Sequence, residues 1–222
     1  MRWLSNLWWR LIRFGFRLLY NELAFTYDWV SKIVSLGDWR CWQRAALDFL
    51  PDAAFVLELA HGTGDIQLDL HAAGYRTIGF DLSTAMGRIA SRKMRKHDVV
   101  PRLVQGRAQK LPFAEAAFDA IVCTFPTPFM MQSETLTEAN RVLKAGGVLI
   151  VVTNGQLERS SLIRRFLEWL YRITGQREIT ADVDNLRVEV VGHLRQYGFD
   201  AHWEKKPCRR SFADLIFAEK LV

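Results

Sequence analysis

From Phe55 onward, short apolar runs bounded by turn residues alternate with longer stretches of helical periodicity, and this alternation constrains the fold more than any other feature. It predicts strands at 55–60, 76–81, 102–105, 118–123 and 148–153. Helices are expected between them, at 65–73, 83–96 and 133–143, with Ser83 as an N-cap and residues 144–147 as a helix stop and turn. The end of the chain departs from the alternation: a helix at 184–197 leads into strands at 199–205 and 211–220. A connection that short makes the last two strands antiparallel. The expected fold is a doubly wound α/β sheet with a closing antiparallel hairpin. At 222 residues there is room for one such domain, assigned to 51–222, preceded by a helical cap over 1–50 with Gly37 and Pro51 as punctuation.

The net charge of +6 is unevenly distributed. Residues 1–20 carry Arg2, Arg10, Arg13 and Arg17 and no acid, a net of +4. Residues 157–177 carry five arginines against Glu158 and Glu168, a net of +3, leaving −1 for everything else. On a helical wheel the four N-terminal arginines and Asn6 gather in a narrow polar arc, and Trp3, Leu4, Leu7, Trp8, Leu11, Ile12, Phe14, Leu18 and Leu19 cover most of the remainder. Such a helix suits a bilayer interface, with arginines on anionic headgroups and Trp and Leu among acyl chains. Residues 157–177 repeat the pattern as a helical insertion. The bland alternative is that both helices cover the core or a dimer interface. The arginines also break any signal-peptide core, so the segment is read as part of the mature protein. No stretch is long and uncharged enough to span a membrane. Cys41, Cys123 and Cys208 are odd in number and far apart, which predicts neither a disulfide framework nor a metal site and favours a reducing cytoplasm.

The stretch Val56-Leu57-Glu58-Leu59-Ala60-His61-Gly62-Thr63-Gly64 is a buried strand running into a glycine turn that opens a helix. With Asp81 at the end of the second strand, it describes either a dinucleotide site or a related nucleoside site. Spacing separates the two. The dinucleotide fingerprint needs a third small residue three positions after the second glycine, and here that position is Gln67; Glu58, inside the first strand, has no counterpart in it.

These residues resemble the class I S-adenosylmethionine-dependent methyltransferases, in particular the group related to quinone-biosynthesis C-methyltransferases and bacterial phospholipid N-methyltransferases. The likeness continues through Phe80-Asp81-Leu82-Ser83-Thr84-Ala85-Met86, Leu111-Pro112-Phe113 with Phe118-Asp119, and Glu138 to Gly147, and covers about residues 20–220. It implies a Rossmann-like seven-stranded sheet of order 3-2-1-4-5-7-6 with the last strand antiparallel. It also implies S-adenosyl-L-methionine as cofactor. Ala60, Gly62 and Gly64 would then line its methionine portion, with Glu58 acting through the turn backbone or water to receive the ammonium. Asp81 would accept both ribose hydroxyls, and Leu82 and Met86 would pack on adenine, although a Met one turn into a helix is often simply core. Relatives often carry an adenine-binding Asp where this chain has Arg107, which accepts no hydrogen bond. Arg107, Ala108 and Gln109 are therefore assigned to that end of the site together, and Thr124 closes it at the fourth strand.

A sulfonium methyl is already electrophilic, so the protein needs chiefly to align the acceptor and exclude water. A phenol, enol carbon or ammonium acceptor also needs a proton acceptor, for which His61 and Tyr27 are the candidates, with Asp28 behind them. His61 has a competing reading as a residue that only holds the turn. The loop from Thr124 to Met131 carries two prolines, two Phe and two Met without a charge, which suits an apolar or aromatic acceptor wall. It lacks the Asn and adjacent prolines of base and amide methyltransferases, so nucleic acid is not expected as a partner. The chain is accordingly expected to methylate a small or lipid-borne molecule, a phospholipid headgroup amine or a quinone-precursor ring. It would work as a peripheral protein at the cytoplasmic face of the membrane, anchored through residues 2–20. The competing readings are a soluble small-molecule methyltransferase and a catalytically silent binding protein.

Overall fold

A computed structural model describes residues 35, 37–126, 128–157 and 183–221. The segments 2–20 and 157–177 that carry the amphipathic signal, and Tyr27 and Asp28, lie outside it apart from the strand end at 157. The described chain runs α1 (Trp39–Arg44), a 3-10 turn (Ala45–Phe49), β1 (Phe55–Leu59), α2 (Asp65–Ala72), β2 (Arg76–Asp81), α3 (Thr84–Lys96), β3 (Leu103–Gln105) and β4 (Phe118–Thr124). A second 3-10 turn (Pro128–Met131), α4 (Ser133–Val142), β5 (Leu143–Leu157), α5 (Val183–Gln196), β6 (Phe199–Pro207) and β7 (Ser211–Lys220) complete it.

The seven strands form one sheet of order β3-β2-β1-β4-β5-β7-β6. β1 to β5 are parallel, and β7 runs antiparallel to both β5 and β6, as the sequence predicts. The central strands are buried on both faces, so adjacent residues feed opposite cores. Leu57, Leu59, Ile121 and Cys123 pack with Leu136, Ala139 and Leu194 of α4 and α5. Val56, Ala120 and Val122 pack the other way, against Trp42, Ala45, Ile66 and Leu70. Each fully buried aliphatic side chain contributes roughly 1.5–3 kcal/mol.

Two expectations change. β5 begins at Leu143, immediately after α4, and no separate helix stop precedes it. Phe118 pairs with Leu143 and the ladder resumes at Ala120 with Val148, so residues 144–147 bulge out of register, with Gly146 at a φ of +71°. The glycines that read as a turn accommodate a bulge inside the strand.

The cysteines are also corrected: Cys41 and Cys208 form a disulfide, with Cα atoms 6.1 Å apart. Sequence spacing is blind here, because α1 reaches the β6–β7 connection only by docking on the finished sheet. Trp42 anchors the docking, its indole N–H donating to Ser211 Oγ at 2.8 Å while Ser211 Oγ donates to Asp38. Arg40 and Arg44 meet Asp69 of α2, the latter at 2.7 Å. No helix among the described residues is long and apolar enough to cross a membrane.

Candidate active site

β1 ends at the carboxyl edge of the sheet, where open α/β folds place their ligands. The chain leaves it through a run of left-handed residues, Ala60 at φ +57°, Gly62 at +52° and Gly64 at +83°. The turn brings the Gly62 N–H to Asp81, which accepts it on Oδ2 at 2.9 Å, while Asp81 Oδ1 accepts the Ser83 N–H at 2.7 Å. Ser83 Oγ in turn accepts the Met86 N–H at 3.3 Å, the predicted N-cap of α3. Asp81 is therefore fixed at the end of β2 by two backbone donors. Each of its oxygens retains a lone pair for a further hydrogen bond.

Above this carboxylate lies a cavity of about 350 Å³, within the range of small-molecule sites. Of the residues assigned from sequence, Ala60, Gly62, Asp81, Leu82, Met86, Arg107, Ala108, Gln109 and Thr124 line it. Glu58, Gly64 and His61 do not.

Gly64 sits behind the turn, where an added Cβ would lie 2.8 Å from Ala90 Cβ of α3. Its lack of a side chain lets the start of α2 approach α3. Gly62 differs: an added Cβ there meets nothing within 4 Å.

Glu58 is buried in β1 and accepts from Gln67 Nε2 at 2.8 Å, and Gln67 Oε1 accepts from Thr77 Oγ1 at 3.0 Å. Burial pushes the Glu58 carboxyl up to about 8, against the lowering effect of the Gln67 hydrogen bond and with added repulsion from Asp81. Gln67 is thus an interior polar link to both strands, in the position where a dinucleotide site needs a small residue.

His61 turns back on its own loop, its Nδ1 2.9 Å from Gly62 O, and borders a separate groove beside α3. Burial holds its imidazole below the usual range, although Asp81 opposes the shift. His61 is therefore not among the residues that line the cavity.

The opposite wall consists of Phe125, Pro126 and Phe129, from the loop expected to face the acceptor. Phe125 has a φ of +51°, a strained conformation for a bulky residue, and its ring stacks on Trp39 at 4.2 Å between centroids. The sequence reading missed Trp39, and also Ser83, Phe80 and Gly106 as lining residues. Ser83 alone had a visible signal, its capping position. After the lining stretch 106–109, Glu138 accepts the Leu111 N–H at 2.6 Å and Arg141 donates to the carbonyls of Leu111 and Phe113, which ties the Leu-Pro-Phe stretch to α4.

The ubiE/COQ5 methyltransferase family model matches residues 16–184, three quarters of the chain. The chain belongs to that family. It is 35% identical over 139 residues to the demethylmenaquinone methyltransferase of Thermus thermophilus, covering 60% of this chain and 63% of that protein. To the ubiquinone/menaquinone biosynthesis C-methyltransferase of Syntrophotalea carbinolica it is 35% identical over 161 residues, covering 70% and 66%. The chain thus spans slightly under two thirds of the length of these curated relatives. Among solved structures, a phosphoethanolamine N-methyltransferase from Haemonchus contortus, in complex with phosphomonomethylethanolamine and S-adenosylhomocysteine, superposes with a TM-score of 0.61 at 18% identity, covering 92% of this chain and 58% of that one. That likeness establishes the shared fold.

The cavity fits the family's cofactor on its own chemistry. Asp81 retains acceptor capacity suited to vicinal hydroxyls, Gly62 leaves open space at the floor, and Leu82 and Met86 offer apolar surface beside it.

Proposed function

We propose that this family member transfers a methyl group from S-adenosyl-L-methionine to the ring carbon of a quinone precursor bearing an apolar tail, at a membrane surface. One observation carries the reading: a single cavity joins the backbone-held carboxylate of Asp81 to an uncharged wall of Phe125, Pro126 and Phe129. The names of the curated relatives support a quinone precursor over a headgroup amine, and the amphipathic 2–20 segment supports action at a membrane surface.

The bound cofactor supplies an electrophilic sulfonium methyl. Asp81 orients the nucleoside through its ribose hydroxyls, with Gly62 and Ser83 preventing the carboxylate from rotating away. Leu82 and Met86 cover the adenine face, and Arg107, Ala108 and Gln109 edge it. The Phe and Pro wall excludes water and lies flat against an aromatic acceptor, so most of the rate advantage comes from alignment. Asp81, the one carboxylate among the described lining residues, is committed to the ribose.

Methyl transfer from labelled cofactor into a lipid extract, compared with an aqueous metabolite extract, tests the reading. Label should enter a quinol fraction. Asp81→Ala should abolish both the calorimetric signal for S-adenosylmethionine and the labelling. Heat of binding unchanged in Asp81→Ala, or label confined to the aqueous extract, overturns it.

A further inference from the structure

The net charge of −1 left to the chain outside 1–20 and 157–177 conceals a segregation. Residues 88–110 hold eight cations against the single acid Asp98, a net of +7, so what remains nets −8. The fold puts this segment on one edge of the molecule: α3 leads into β3, the edge strand, which pairs only with β2. Arg88, Arg92 and Arg95 follow at helical spacing on α3. They border a groove of about 470 Å³ whose far side is Pro101, Leu103 and Val104.

These arginines differ from the protein's structural ones. Arg40 and Arg44 are spent on Asp69, and Arg141 on Glu138. Lys93, also on α3, reaches Asp65 at 3.1 Å. Among the described residues Arg88, Arg92 and Arg95 have neither an ion-pair nor a hydrogen-bond partner, and the groove's one acid, Asp81, already accepts from Gly62 and Ser83. Two exposed apolar residues adjoin the groove's lining in sequence or by hydrogen bond. Val100, 78% exposed, precedes Pro101, and Leu82, 63% exposed, takes a hydrogen bond on its carbonyl from Gln105 of the groove. The groove and the cofactor cavity share Asp81 and Ser83 as a common rim.

We propose that the α3–β3 edge is a docking face for an anionic phospholipid surface, with Arg88, Arg92 and Arg95 on headgroup phosphates and Val100 entering the interface. Guanidinium groups pair with phosphate oxygens through several N–H donors at once, and an exposed aliphatic residue gains from burial among acyl chains. Lipid fits better than single-stranded nucleic acid, because nucleic-acid sites interleave arginines with stacking aromatics and, among the described residues, this groove is lined by no Phe, Tyr or Trp. The inference rests on the membrane-surface reading above and adds a contact made by the folded core, one that sets the cofactor rim beside the bilayer.

The test is flotation of the full chain with vesicles of phosphatidylcholine alone or mixed with phosphatidylglycerol. Three proteins are compared: wild type, a core variant with Arg88→Glu, Arg92→Glu and Arg95→Glu, and an N-terminal variant with Trp8→Asp and Leu11→Asp. The core variant should lose at least about tenfold in affinity for the anionic vesicles, more at low salt than at high salt. Its calorimetric affinity for S-adenosylmethionine should stay within about twofold of wild type, which shows that it is folded; a milder set, each arginine to Gln, serves if it is not. A core variant that floats like wild type while the N-terminal variant fails overturns this inference and leaves the membrane reading standing. No flotation of wild type overturns both. Wild type that binds a single-stranded oligonucleotide more tightly than the vesicles, with the core variant losing that binding, gives the face to nucleic acid and overturns the proposal.

Discussion

The Trp39 ring stacks on Phe125 at a centroid distance of 4.2 Å and an interplanar angle of 22°, so α1, outside the sheet, supports the back of the cavity wall. Phe125 has a left-handed backbone that a bulky side chain adopts only under constraint from its surroundings. Trp39→Ala removes that constraint. It should cost about 1–2 kcal/mol of stability and raise the KM for the acceptor several-fold with a smaller effect on kcat, and Trp39→Phe should restore most of both. Denaturant melts and steady-state kinetics check this, and an unchanged KM in Trp39→Ala would separate α1 from the site.

Glu58 couples stability to pH. Burial pushes its folded carboxyl up to about 8 from the ordinary 4.5, so the folded state holds a proton that the unfolded state releases. The stability contributed is complete below 4.5, declines as pH rises and is gone once pH has passed through about 8. Glu58→Gln keeps the bond from Gln67 without the charge. It should raise the Tm clearly at about pH 9 and hardly at about pH 4, a gain of a few kcal/mol at the alkaline end. Parallel Tm curves for the two proteins across that range would show that Glu58 ionises freely in the fold.

At Gly64 a side chain meets two obstacles, the φ of +83° and Ala90 of α3 at 2.8 Å. Gly64→Ala should destabilise by about 2–4 kcal/mol through backbone strain and overpacking together. Thermal melting of Gly64→Ala beside Gly64→Ala/Ala90→Gly resolves the two: the second change should recover the packing part and leave the strain. A double variant no better than the single would place the whole cost in the backbone.

The pairing of Cys41 with Cys208 ties α1, and Trp39 with it, to the β6–β7 connection. Denatured but unreduced protein should show one reactive thiol, Cys123, and reduced protein three. Cys41→Ser should lower stability by about 2–4 kcal/mol. Three thiols without reductant would exclude the bond.

The sequence by itself determined the alternation of strands and helices, the closing antiparallel hairpin and the position of the cofactor turn, because these are written in local pattern; the strand order is what the family resemblance implied. Strict alternation of apolar runs and helical periods leaves few topologies, and the left-handed turn at Gly62 and Gly64 needs residues that tolerate it. Asp81 was legible for the same reason, as the last residue of a strand whose partner ends in that turn. Tertiary structure alone decided which side of the turn each residue faces. Glu58 and His61 sit in the motif yet do not line the cavity, since Glu58 is held in the interior by Gln67 and the His61 ring meets its own turn. The Trp39–Phe125 stack and the Cys41–Cys208 bond join residues that are distant in sequence. No local pattern encodes them, because their energy exists only once the sheet has brought the partners together.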